Sequence, residues 1–151
     1  MDQGCDIITQ HTDSPAPLQA AAGRGVLGFG QSTDMTRFAP TTQLTASTDL
    51  WTPYYTKRIG DVLAGTWSST DTWGGFDSGM LGMAPFANMP ADVAALAERT
   101  RADVASGKIP VFAGPLTDQA GAVKLAAGGS LDDGALSAMQ WLVQGIDGKL
   151  T

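Results

Sequence analysis

A chain of 151 residues has the length of one domain, and at this size about two-thirds of the unfolded surface is buried on folding. Fifteen acidic against nine basic residues give a net charge of -6 and a pI near 4.4, a field that repels phosphate backbones and anionic headgroups, so no nucleic-acid partner is expected. With 43% hydrophobic and 16% charged residues the composition is that of a folded globular α/β domain.

No stretch approaches the ~18 consecutive apolar residues that would span a bilayer, and Met1-Asp2-Gln3-Gly4 lacks the charged-then-apolar order of a signal peptide. The single cysteine, Cys5, has no intrachain disulfide partner and is expected to be a small residue at a strand edge.

Asp6-Ile7-Ile8-Thr9-Gln10 reads as a strand, and Ser14 with Pro15 supplies an N-cap and a first-turn proline for a helix through Leu18, Ala21 and Ala22. Gly23 and Gly25 end that helix. Val26 to Gly30 is a second short strand, so the unit is β-α-β and its two strands should run parallel. Gln43 to Ser47 predicts a third strand. A helix over 52–64 follows, with Trp51, Tyr54, Tyr55, Ile59, Val62 and Leu63 near a 3.6-residue period and Gly65 as its stop. The polar, glycine-rich stretch from Thr66 to Met89 leaves room for at most one strand, around Met80 to Met83. Pro90 opens a helix to Ser106, with Val93, Leu96, Ala97 and Val104 on one face and Gly107 after its end. Ile109 to Phe112 is expected as a strand, Asp118 to Gly121 as a hairpin turn, and Ser130 with Asp133 as the capping box of a last helix carrying Leu136, Met139, Val143 and Ile146.

The string Gly23-Arg24-Gly25-Val26-Leu27-Gly28 matches the dinucleotide pattern G-x-G-x-x-G, but here the glycines leave a helix and enter a strand, which predicts a helix stop and close packing. His11 is the one histidine, no serine sits in a G-x-S-x-G elbow, and no His, Cys or Asp spacing suits a metal. No cofactor, no metal and no catalytic activity are expected. The pair Asp132-Asp133 has a plain role at a helix N-terminus.

In an open parallel α/β sheet, ligands sit beyond the carboxyl ends of the strands. Three polar clusters fall there: His11, Thr12, Asp13 and Ser14 after strand one, Gln31 to Asp34 after strand two, and Asp49 with Trp51 after strand three. Carboxylates can accept sugar hydroxyls, amides can read a base edge and an aromatic face can stack on a planar ring. The same residue types are also ordinary caps and turn formers, and spacing alone leaves both roles open.

These segments, from Gly4-Cys5-Asp6-Ile7-Ile8-Thr9-Gln10 through Gly28-Phe29-Gly30-Gln31-Ser32-Thr33-Asp34-Met35 and Leu44-Thr45-Ala46-Ser47 to Val62-Leu63-Ala64-Gly65-Thr66-Trp67, Met83-Ala84-Pro85 and Ser106-Gly107-Lys108-Ile109, resemble the second half of the basic membrane lipoprotein family of solute-binding proteins. The resemblance implies a three-layer parallel-sheet lobe of a type I periplasmic-binding-protein fold over residues 1–151, without the first lobe and signal sequence. It implies a purine nucleoside or similar small molecule as ligand, an ABC-type permease as partner of the full-length protein, and a periplasmic or membrane-anchored extracytoplasmic location. Thr12, Asp13 and Ser14 fall on the family's ligand-facing loop and Asp34 on its acidic position for ribose hydroxyls. Two departures bear on the ligand: Thr12 to Ala16 stands where the family has an Ala-Gly-Gly-Thr-Gly loop, and Asp49 stands where a lysine is common, which allows a different nucleoside, a free base or another polar solute. The helix over 52–64 would cross to the missing lobe, leaving an apolar face that favours a homodimer. The alternative to solute capture is a truncated interaction domain that self-associates and binds no solute tightly.

Overall fold

The computed structural model describes Asp2 and residues 4–150; Met1, Gln3 and Thr151, and with them part of the reading of the chain start, lie outside the described residues. The chain divides into two compact units, Met1–Ala105 and Ser106–Thr151.

In the first unit, β1 (Ile7–Ile8), α1 (Ala16–Ala22) and β2 (Leu27–Gly30) form the expected β-α-β crossover, and β3 (Gln43–Asp49) adds on the far side of β2. Strands β1, β2 and β3 are mutually parallel, with Ile7 opposite Leu27 and Phe29 opposite Thr45. A fourth strand, β4 (Leu81–Met83), closes the order β1-β2-β3-β4 and pairs antiparallel to β3, with Ser47 opposite Met83. The chain beyond β4 stays along β3, since Ala84 N donates to Ala46 O at 2.9 Å and Ala87 N to Leu44 O at 2.8 Å.

The glycine string works as punctuation. Gly23 caps the C-terminus of α1, and Gly25 takes the left-handed φ of +66° that turns the chain back toward β2. Gly28 serves close packing: a Cβ there would lie 2.7 Å from Leu18 Cδ2, so only glycine lets α1 settle this closely on the sheet. Leu18 is fully buried and clusters with Met35 and Ala39.

Leu27 and Phe29 alternate with Gly28 and Gly30, and with Ile7 and Leu44 they border an apolar hollow of about 380 Å3 whose far wall is Val93 and Ala97 of α3 (Ala91–Ala105). A second hollow of about 440 Å3 continues along Leu96, Thr100 and Val104 of the same helix. Helix, sheet and helix thus give the three layers anticipated for a parallel-sheet lobe. Helix α2 (Trp51–Leu63) has Ala64 as its C-cap and is followed by Gly65 at φ +70°, and none of its residues is buried.

In the second unit, β5 (Leu116–Thr117) and β6 (Val123–Leu125) form the hairpin foreseen at Asp118 to Gly121, with Asp118 Oδ1 accepting the N–H groups of Ala120 and Ala122 at 2.9 and 3.0 Å. Two expectations fail here. Ile109 to Phe112 forms no strand: Val111 and Phe112 lie in a turn, and Phe112 O accepts the Leu131 N–H instead. The last helix is only α4 (Asp133–Ser137), capped by Asp132 rather than Ser130. Val143 bridges to Asp118 and Gln144 N donates to Thr117 O at 2.9 Å, so pairing with the hairpin takes the backbone groups that a longer helix would have used. Gly145, at φ +95°, turns the chain there.

Candidate ligand-binding site

Parallel β1, β2 and β3 place their carboxyl ends on one edge, and the three polar clusters follow those ends. Hydrogen bonds tie the clusters to one another. Gln10 Nε2 reaches Met35 Sδ at 3.5 Å, joining the turn after β1 to the turn after β2, and Asp49 N donates to Ser32 O at 2.9 Å, joining the latter to the end of β3.

The turn after β1 is open. His11, Thr12 and Asp13 are exposed, Thr12 Oγ1 donates to Gln10 Oε1, and Ser14 Oγ accepts the Ala16 N–H at 3.2 Å ahead of α1. His11 and Asp13 make no side-chain hydrogen bond among the described residues.

The turn after β2 is built around Gln43, the first residue of β3 and only 1% exposed. Its Nε2 donates to Asp34 Oδ1 at 2.8 Å and Thr36 Oγ1 at 2.9 Å, while its Oε1 accepts the Met35 N–H at 3.0 Å. Asp34 Oδ1 also accepts the Thr36 N–H at 2.9 Å and hydroxyl at 2.6 Å. The Thr36 hydroxyl above all, then the Thr36 amide, hold the Asp34 carboxyl below its usual range against the opposing effect of burial, and the Gln43 side chain adds a smaller lowering. Asp34 therefore holds the turn together through its own carboxylate. Ser32 adopts a left-handed φ of +62°, a conformation that costs a residue with a Cβ about 1 kcal/mol. Gln31 Oε1 is buried on this edge with no hydrogen-bond partner among the described residues. A buried acceptor of that kind gains from a donor brought by a ligand.

Asp49 and Trp51 sit one step away from their predicted setting. Asp49 is the last residue of β3 rather than part of a turn after it, and Trp51 is the first residue of α2. Pairing with β4 carries β3 past Ser47. The Trp51 ring meets Tyr54 at 5.8 Å and Tyr55 at 5.9 Å between centroids. Sequence reasoning missed Gln43, which looks like any strand residue, and Trp73, which lies in the long loop yet shares a cavity with Asp49 and Trp51.

The described residues contain no group of three or more His, Cys, Asp or Glu side chains placed to hold a metal, and none of their helices is long and apolar enough to cross a membrane.

The first unit is a mixed α/β fold with a mainly parallel sheet and a polar carboxyl edge, and this chain is similar to several known proteins. No family model matches the chain. A purine-binding protein of Brucella abortus is 52% identical over 150 residues, 99% of this chain and 43% of that protein. A Haloferax volcanii protein carrying the name of an ABC transporter glucose-binding protein is 26% identical over 99% of this chain and 36% of its own length. The chain thus spans less than half of the curated relatives it matches. Among solved structures, a solute-binding protein of an ABC transporter system from Conexibacter woesei superposes with a TM-score of 0.52 at 21% identity, over 73% of this chain and 38% of that one. A transcriptional activator of the comK gene from Bacillus halodurans gives 0.60 at 16% identity, over 72% and 40%. These two establish the fold. In sequence the chain is similar to solute-binding proteins; both relatives are named for what they bind and neither for a reaction.

Proposed function

We propose that the chain is a solute-binding component of an ABC-type importer, or part of one, and that a purine nucleoside or a similar polar small molecule binds along the carboxyl edge of its parallel strands. The observation that carries this reading is the linkage of the three clusters on that edge, with the unpaired Gln31 acceptor among them. The 52% identity to a purine-binding protein supports the ligand class. On this reading residues 1–151 act as a single lobe, half of a clamp; the basic membrane lipoprotein resemblance supplies the second-lobe assignment, the permease partner and a periplasmic or membrane-anchored extracytoplasmic setting. Solute capture asks for no catalytic group, only for recognition.

The test is a thermal-shift and calorimetric panel of nucleosides and free bases, with glucose included. Stabilisation by a purine compound in wild type, lost in Asp13→Ala, is the expected result. Stabilisation left unchanged by Asp13→Ala would count against the edge, and no response to any compound would count against solute binding.

The exposed face of α2 favours a second reading. Trp51, Tyr55, Ile59, Val62 and Leu63 form an exposed apolar stripe on that helix, with Leu63 83% exposed. On that reading α2 self-associates, and light scattering at rising concentration should then show a dimer mass.

A further inference from the structure

The carboxyl end of β3 opens into a cavity of about 260 Å3 bordered by Asp49, Trp51, Thr72, Trp73 and Met80. Two indole rings and one carboxylate share this space. Trp51 and Trp73 are 49% and 66% exposed, a large apolar area left in water for side chains of this size. The Asp49 carboxylate is exposed and makes no hydrogen bond among the described residues.

The surroundings hold these groups in place. Asp49 is fixed through its backbone, which donates to Ser32 O and pairs opposite Leu81. Tyr54 and Tyr55 brace the Trp51 ring, and they contact each other edge to face at 5.4 Å. Trp73 lies more than twenty residues further on, and two devices bring it there. Arg58 of α2 donates to Ser68 O at 3.1 Å, Thr70 O at 2.6 Å and Thr72 Oγ1 at 3.3 Å, clamping the strand of loop that leads into Trp73. On its other side, a Cβ at Gly74 would lie 2.4 Å from Ser78 Oγ and 2.6 Å from Met80 Sδ, so the backbone runs as close to this wall as glycine permits. An arginine spent on three loop contacts and a tightly packed glycine are what a preorganised aromatic wall requires.

We propose that Asp49, Trp51 and Trp73 form the ring subsite of the binding edge, taking a planar, N–H-bearing heteroaromatic ring. The indoles stack on the ring face and the Asp49 carboxylate accepts a ring or exocyclic N–H. The inference rests on the solute-binding function proposed above and names the part of the ligand that this end of the edge reads. A sugar could also lie on an indole with its hydroxyls on a carboxylate, but the stronger sequence match is to a purine binder at 52% identity rather than to a glucose-named protein at 26%.

The experiment titrates the full chain with adenine, and separately with glucose, followed by calorimetry and by tryptophan fluorescence. Adenine should bind and quench the fluorescence; Trp73→Ala should weaken it about tenfold or more, the effect of one lost base stack, and Trp73→Phe should restore most of the affinity. Trp73→Phe keeps an aromatic face, so its recovery separates a stacking role from damage to the loop. Equal adenine affinity in wild type and Trp73→Ala overturns the subsite while leaving solute binding intact. Glucose binding without adenine binding overturns the ring assignment. Absence of binding to adenine, to glucose and to every member of the nucleoside panel overturns the subsite together with the function it rests on.

Discussion

The turn after β2 and the turn after β1 draw on the same side chains, hydroxyls, amides and carboxylates, and carry them differently. Asp34 is gripped at one oxygen by Thr36 and by the buried Gln43 amide, whereas Asp13 and His11 stand exposed and without side-chain hydrogen bonds among the described residues. A carboxylate that shapes a turn and one that only faces outward are alike in sequence. They differ in what their loss should do, since removing the first breaks a network and removing the second leaves the fold alone.

The largest effect should come from the hub. Gln43→Ala strands the buried Met35 N–H and frees Asp34 and Thr36, and it should cost about 3 kcal/mol in urea unfolding at neutral pH. A loss under about 1 kcal/mol would break the contrast between the turns.

Asp34→Asn should cost less, about 1 kcal/mol, and its cost should depend on pH. The folded carboxyl titrates below its usual range, so the unfolded state binds the proton more readily. That contribution is complete above the unfolded pKa near ~4 and fades as pH falls through the lower folded value. The difference between wild type and Asp34→Asn should therefore begin to shrink as pH falls below ~4 and close only below the folded value, as urea melts at neutral and acid pH would show.

Ser32→Gly removes the penalty of a left-handed φ and should stabilise by up to about 1 kcal/mol in the same urea melts. Asp13→Ala is the smallest stability change, within about 0.5 kcal/mol, and should act on ligand affinity alone. A large loss of stability there would erase the distinction between the two turns.

The first unit was legible because its punctuation is local. Pro15, Gly23, Gly25, Gly65 and Pro90 stand at or beside element ends, and the carboxyl-edge rule then located the three clusters once the strands were read as parallel. What stayed hidden depends on distant partners. The hydrogen-bonding reach of Gln43 to Asp34, nine residues back, and the meeting of Trp73 with Asp49 across a loop leave no periodic trace. In the second unit the same cause defeats the helix signal: from Leu136 to Ile146 the apolar spacing is helical, yet Thr117 and Asp118 claim Gln144 and Val143. Propensity yields there to pairing that only the folded chain supplies.

The central claim is that the carboxyl ends of β1, β2 and β3 are the ligand face. Hydrogen exchange of the full chain, with and without the strongest binder from the nucleoside and base panel, tests it most directly. Slowed exchange of amides in 10–14, 31–36 and 49–51 is predicted; protection confined to α3 or to 106–150 would contradict it.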